Sequence, residues 1–130
     1  MRLPQKLYDE MVAHALEDAP NECCGMIASR DGEAVSVYRA TNALHSPYAY
    51  EIGSEDLYRI QMEIDDAGLE VGAIYHSHTR SDPYPSQTDI NLAFYPDALY
   101  VIVGVAGEEP QVRTFTIRDG QVAEADLVVG

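Results

Sequence analysis

The rhythm of apolar and polar positions divides the chain into helix-like and strand-like segments. Leu7, Met11, Ala15 and Leu16 recur at helical spacing between Leu3-Pro4 and the breaker Pro20, which predicts an opening helix. Glu22 to Ser29 then runs apolar like a strand. Asp31-Gly32 has the composition of a tight hairpin turn into a second strand, Ala34 to Tyr38. Asn42 to Tyr48 is rich in turn formers, and Tyr48 to Ile52 reads as a short strand. Ser54 is placed to cap a second helix whose apolar side includes Leu57, Ile60 and Ile64, closing near Gly68.

Val71-Gly72-Ala73-Ile74-Tyr75 is short, apolar and partly β-branched, the pattern of a buried strand. Ser81 to Pro85 must be loop, because prolines at 83 and 85 exclude both helix and central strand. Ser86 to Phe94 reads as a short helix, Ala98 to Val105 and Val112 to Ile117 as strands, and Val122 onward as an edge strand after Asp119-Gly120. The sum is one α/β domain over residues 1–130, with a mixed, mostly antiparallel sheet, two flanking helices and one short helix.

Composition narrows the partners. Of 130 residues, 46% are apolar, enough to bury a core without staples. The net charge of −14 comes from 22 acidic against 8 basic residues, a field that repels nucleic-acid phosphates. The acidity fits solubility, a salty cytoplasm or complementarity to a basic protein partner. Cys23 and Cys24 are adjacent and cannot build a disulfide framework, and no stretch approaches membrane-spanning length. A cytoplasmic protein without nucleic-acid or membrane partners is expected; the oligomeric state is left open.

The chemistry concentrates after the apolar strand. If that strand continues through His78, His76 and His78 point to the same face at its exit, and Ser86-Gln87-Thr88-Asp89 follows after seven intervening residues. Two imidazoles and a carboxylate are three of the ligands a catalytic zinc needs, with a fourth position open to water. Asp89 has a second reading, because S-x-x-D directly after Pro85 is a capping box. A cap and a ligand share one geometry, since the cap fixes the carboxylate in the first turn.

Hydrolysis also wants a carboxylate to move the proton of the attacking water. Glu22 is the best candidate: it follows Pro20-Asn21 at the start of an apolar strand, where partial desolvation would raise its pKa, although a solvated strand start would also hold a glutamate. Cys23 and Cys24 face opposite ways on a strand and read as small buried hydrophobes, while Cys24 shares parity with Glu22 and can line the site. His14 and His45 lack partners at ligand spacing and are expected facing solvent or behind the site. The H-x-E and P-C-x-x-C pattern of zinc deaminases is missing.

Glu22 with Cys24-Gly25, then His76-Ser77-His78, seven residues and Ser86-Gln87-Thr88-Asp89, resembles the JAMM (MPN+) metalloprotease signature, a distant glutamate plus H-S/T-H-x7-S-x2-D. The resemblance implies an MPN fold in which His76, His78 and Asp89 ligate zinc, Glu22 acts as general base and proton shuttle, and Ser86 helps hold the developing oxyanion. It also implies a substrate, the C-terminal Gly-Gly tail of a ubiquitin-like protein. Tyr84 to Asp89 is similar to the small prokaryotic Mec+ type, which releases cysteine from a sulfur-carrier protein. Removal of a ubiquitin-like modifier from lysines, and a non-catalytic MPN-type scaffold, are the alternatives.

Overall fold

The computed structural model describes residues 1–130. The chain runs β1 (Arg2–Leu3), α1 (Gln5–Asp18), β2 (Cys24–Arg30), β3 (Glu33–Ala40), α2 (Ser54–Asp66), β4 (Glu70–His78), α3 (Gln87–Asn91), β5 (Leu99–Gly104), β6 (Gln111–Arg118), β7 (Gln121–Glu124) and β8 (Val128–Val129). All eight strands join one sheet in the order β7-β6-β5-β4-β2-β3-β1-β8. Pairing is antiparallel except for β4 with β5, β1 with β3 and β1 with β8, so the sheet is mixed and mostly antiparallel, as expected.

Strand alternation gives each face its own core. On one face Cys24, Met26, Ile74, Ile102 and Phe115 pack against Ile60 and Ile64 of α2. On the other, Cys23, Ile27, Tyr75, Val101 and Val103 pack against Met11 and Ala15 of α1. The two cysteines therefore point to opposite sides of the sheet, and both are fully buried and free. Helix α1 turns Met11, His14 and Ala15 inward but leaves Leu16 56% exposed, so Leu16 is not part of the apolar stripe assigned to it.

The turn after β2 has positive φ at Asp31 (51°) and Gly32 (79°), the conformation that a two-residue hairpin demands. Several expectations are corrected. Tyr48 to Ile52 is not a strand; only an isolated bridge between Asn42 and Ile52 forms there. Ser54 lies inside α2, whose cap is Gly53 without a side-chain bond. The helix expected through Phe94 stops at Asn91. Strands β1 and β8, two residues each, have no local signal in the sequence.

Candidate metal centre

His76 and His78 leave the sheet at the carboxyl end of β4, on the α2 face, with register partners Cys24 and Ile102 for His76 and Gly104 for His78. The loop after β4 folds back so that α3 starts beside them. Ser86 caps that helix: its Oγ accepts from the Asp89 N–H at 3.1 Å, and Asp89 Oδ2 accepts from the Ser86 N–H at 2.9 Å. Asp89 Oδ2 also lies 3.1 Å from Nε2 of both His76 and His78, whose Nε2 atoms are 3.2 Å apart. Capping and convergence on the histidines thus occur in one carboxylate.

Glu22 stands behind this group. Its donor atom and the two imidazole nitrogens lie within 4.8 Å of one another, and its Oε1 is buried without a hydrogen-bond partner. Glu22, His76, His78 and Asp89 are 4%, 1%, 3% and 7% exposed. Glu22 is not in β2 as expected but two residues before it, held by the chain around it. Ser77 Oγ accepts from the Cys23 N–H at 2.8 Å, the Glu22 N–H donates to the Ser46 carbonyl at 2.9 Å, and the Asn42 side chain donates to the Glu22 carbonyl at 3.0 Å.

The donor chemistry fits a cation. His78 Nδ1 is 2.8 Å from the Asp82 carbonyl, which can only accept, so Nδ1 carries the hydrogen and neutral His78 directs the lone pair of Nε2 inward. That lone pair meets a carboxylate oxygen and a second imidazole nitrogen. Three donors 3.1–3.2 Å apart lie slightly inside the ligand spacing of about 3.3–3.6 Å in a tetrahedron with bonds of roughly 2.0–2.2 Å. Zinc, bound by imidazole and carboxylate, suits this set.

The titrations of the metal-free cluster follow from burial and proximity. Burial pushes the Glu22 carboxyl up to about 7; charge on His78 works against this and the Asp89 carboxylate adds to it. Burial also disfavours the Asp89 carboxylate, but bonds from His76, from His78 once it is protonated, and from the Ser86 amide prevail and hold its carboxyl well below the usual range. Burial lowers His76, whereas in His78 the Asp89 and Asp82 oxygens outweigh it and raise the pKa.

The loop from Ser81 to Pro85 is anchored on the sheet. Pro83 packs on Gly104, where a Cβ would sit 3.0–3.2 Å from its ring, and the Tyr84 ring meets Phe115 edge-on at 5.3 Å. The Arg113 guanidinium lies 5.2 Å and 5.8 Å from the centres of the Phe115 and Tyr84 rings. This anchorage places the Asp82 carbonyl behind His78 and Ser86 at the head of α3.

Asn42 and Tyr50, whose ring stacks on His76 at 4.2 Å and 21°, carry no functional mark in the sequence, and Ser77 enters only as the middle of the H-S-H motif. Ser77 had a signal, since a serine inside an apolar strand needs a buried partner. His14 is not at the surface but buried, 2.7 Å from the Tyr75 hydroxyl and 3.2 Å from Asp18, a structural bridge between α1 and β4. His45 is exposed, and burial pushes the Cys23 and Cys24 thiols up to about 12, which leaves them protonated.

A mixed sheet between α1 and α2, with an H-S-H strand end and an S-x-x-D helix start meeting a distant glutamate, is the architecture of a known group of enzymes. Residues 4–118 match the family of prokaryotic homologs of the JAB domain, and the chain belongs to this JAMM-type zinc-metalloprotease family. It is 39% identical over 126 residues to the CysO-cysteine peptidase of Mycobacterium tuberculosis, covering 95% of this chain and 86% of that protein. It is 37% identical over 128 residues to a probable TtuB-protein conjugate cleaving protease of Thermus thermophilus, covering 98% and 81%. Among solved structures, protein DSY2949 from Desulfitobacterium hafniense superposes with a TM-score of 0.90 at 29% identity, covering 99% of this chain and 92% of that one.

Proposed function

We propose that the chain hydrolyses the amide bond after the C-terminal glycines of a ubiquitin-like sulfur-carrier protein and releases cysteine. The observation that carries this reading is the convergence of His76, His78 and Asp89 with Glu22 set behind them, in a chain 39% identical to a CysO-cysteine peptidase. His76, His78 and Asp89 would hold a zinc ion, which would supply the positive charge that makes water nucleophilic at neutral pH and polarises a carbonyl.

The chain's own groups do the rest. The Glu22 carboxylate, buried beside the imidazoles with its Oε1 free of any protein partner, takes the proton of the attacking water and passes it to the departing amine nitrogen. Ser86 Oγ accepts the cap bond from Asp89, so its own hydrogen is free to donate to the developing oxyanion. The four acidic and imidazole side chains are almost enclosed, so a tail without Cβ atoms reaches them with least obstruction.

The second reading is removal of a ubiquitin-like modifier from protein lysines, favoured by the 37% identity to the conjugate-cleaving protease of Thermus thermophilus. A cytoplasmic setting goes with either reading, supported by two free thiols that suit a reducing compartment. No helix is long and apolar enough to cross a membrane.

The deciding experiment offers the zinc-loaded protein a carrier–cysteine adduct and a carrier–lysine isopeptide. The proposal expects kcat/KM to favour the cysteine adduct by about tenfold or more, and Glu22→Ala to slow both reactions by about 100–10,000-fold, to a residual rate that is still measurable, while zinc is retained. Preference for the isopeptide selects the second reading. Cleavage of neither substrate, or no stoichiometric zinc, rejects the peptidase.

A further inference from the structure

We infer that Asn42 is a positioning residue of this site: one side-chain amide ties the main chain of Glu22 to the loop that lays Tyr50 on His76. The inference rests on the reading of Glu22 as general base.

Asn42 is 4% exposed, and both ends of its amide are fully engaged. Nδ2 donates to the Glu22 carbonyl at 3.0 Å and to the Ala49 carbonyl at 2.9 Å. Oδ1 accepts from the Leu44 N–H at 3.0 Å and from the Glu51 N–H at 3.2 Å. Two of these partners, Ala49 and Glu51, flank Tyr50. A single buried side chain therefore uses its two hydrogens and two lone pairs to join the residue carrying the base to the residues bracketing the ring on His76.

The other bonds near Glu22, from its amide to the Ser46 carbonyl and from the Cys23 amide to Ser77, touch neither residue flanking Tyr50; only Asn42 links the two. Glu22 precedes β2, so no ladder fixes it, and its unpartnered Oε1 gives the carboxylate no side-chain tether. The place of the carboxylate is set from the main-chain side alone. The segment after β3 has no regular structure beyond the Asn42–Ile52 bridge, so the Asn42 amide takes the place of a ladder there too. Displacement of a reacting group by about 1 Å can cost roughly 100-fold in rate, so loosening this amide acts on the reaction through Glu22 rather than by touching substrate.

A double-mutant cycle and amide exchange test the inference. Asn42→Ala is expected to lower kcat on the carrier–cysteine adduct by about 10–100-fold, to change KM by less than about threefold and to keep stoichiometric zinc. In a Glu22→Ala background the same substitution should cost less than about threefold, because the group it positions is gone. An equal loss in both backgrounds, or an unchanged kcat, overturns the inference. Asn42→Asp keeps the accepting oxygen and removes the donor, and is expected to show the same pattern should the alanine variant not fold. Hydrogen exchange reads the clamp whatever the reaction: the amides of Glu22, Leu44 and Glu51 should exchange faster in the variant while those of β2 and β4 keep their protection. Unchanged exchange at those three amides overturns the inference even if the adduct proves not to be a substrate.

Discussion

Asp89 and Ser86 cap each other at the head of α3 with the same Asp89 oxygen that meets both imidazoles: Oδ2 lies 2.9 Å from the Ser86 amide and 3.1 Å from each Nε2. The cap is therefore what aims the carboxylate. Asp89→Asn keeps an oxygen for the Ser86 amide and removes the charge; Asp89→Ala removes both. The asparagine variant should lose zinc affinity by at least about 100-fold, beyond what losing an outer-shell partner typically costs. The alanine variant should in addition lose about 0.5–1.5 kcal/mol of metal-free stability as the Ser86 amide loses its acceptor, the bond from the residue 89 amide to Ser86 Oγ remaining. Chelator competition and urea denaturation separate the two effects.

Glu22 gives the metal-free protein a pH dependence whose sign is fixed. Its folded pKa of about 7 lies above the ordinary 4.5, so the folded state holds a proton that the unfolded state has released. The group's contribution is fully favourable below about 4.5 and is lost as pH rises through about 7, a change on the order of 3 kcal/mol. Glu22→Gln cannot titrate. Urea denaturation of the metal-free proteins should show the glutamine variant gaining on the parent between about pH 5 and about pH 8, while the zinc-loaded variant is inactive. A constant stability difference across that range would contradict the assignment.

Ser77 points away from its neighbouring histidines and fastens Cys23, the residue after Glu22, to β4 through its hydroxyl at 2.8 Å. Ser77→Ala leaves the buried Cys23 N–H unpaired and should cost about 1–3 kcal/mol of stability. Because Glu22 is anchored next door, kcat should fall while zinc binding by His76 and His78 persists. Chemical denaturation and steady-state kinetics on one preparation check both halves.

Cys23 and Cys24 are enclosed on opposite faces of the sheet, with thiols pushed up to about 12 by burial. Neither should react with a thiol reagent until the protein is unfolded. Replacement of Cys23 by Ala should leave hydrolysis intact, since it lies on the α1 face away from the histidines. Rapid labelling of the native protein would contradict this packing.

What could be read from the sequence was what local pattern controls. The apolar run into His76 and His78 fixed a strand and, by alternation, put both imidazoles on one face; S-x-x-D after Pro85 fixed a helix start. Glu22 stood out as an acid at the start of an apolar strand, and the match to a known signature then gave it the role of general base. What escaped depends on partners far along the chain. Strand β1 exists because it lies between β3 and β8, and β8 because it lies against β1. Tyr48 to Ile52 has strand-like residues, yet Asn42 takes the Ala49 carbonyl and the Glu51 amide that a ladder would have used. His14 showed no partner at ligand spacing because its partners are a helical neighbour and Tyr75 on another element.

Gly104 illustrates how the outer support of the centre can be probed without touching a ligand. It is the register partner of His78, and the Val105 amide donates to the His78 carbonyl at 3.0 Å, so β5 and the histidine strand are locked together there. The ring of Pro83 occupies the space a Cβ would need. Gly104→Ala must displace Pro83, and with it the adjacent Asp82 carbonyl that orients His78 Nδ1. Loss of such an orienting partner should weaken zinc by about 10–100-fold, with a smaller effect on metal-free stability because the strain falls on a loop. Asp82→Asn is the control: only the main-chain carbonyl of Asp82 touches His78, so its side chain can change without moving zinc affinity. Equal affinities for the parent and Gly104→Ala would show that the loop yields without disturbing the imidazole.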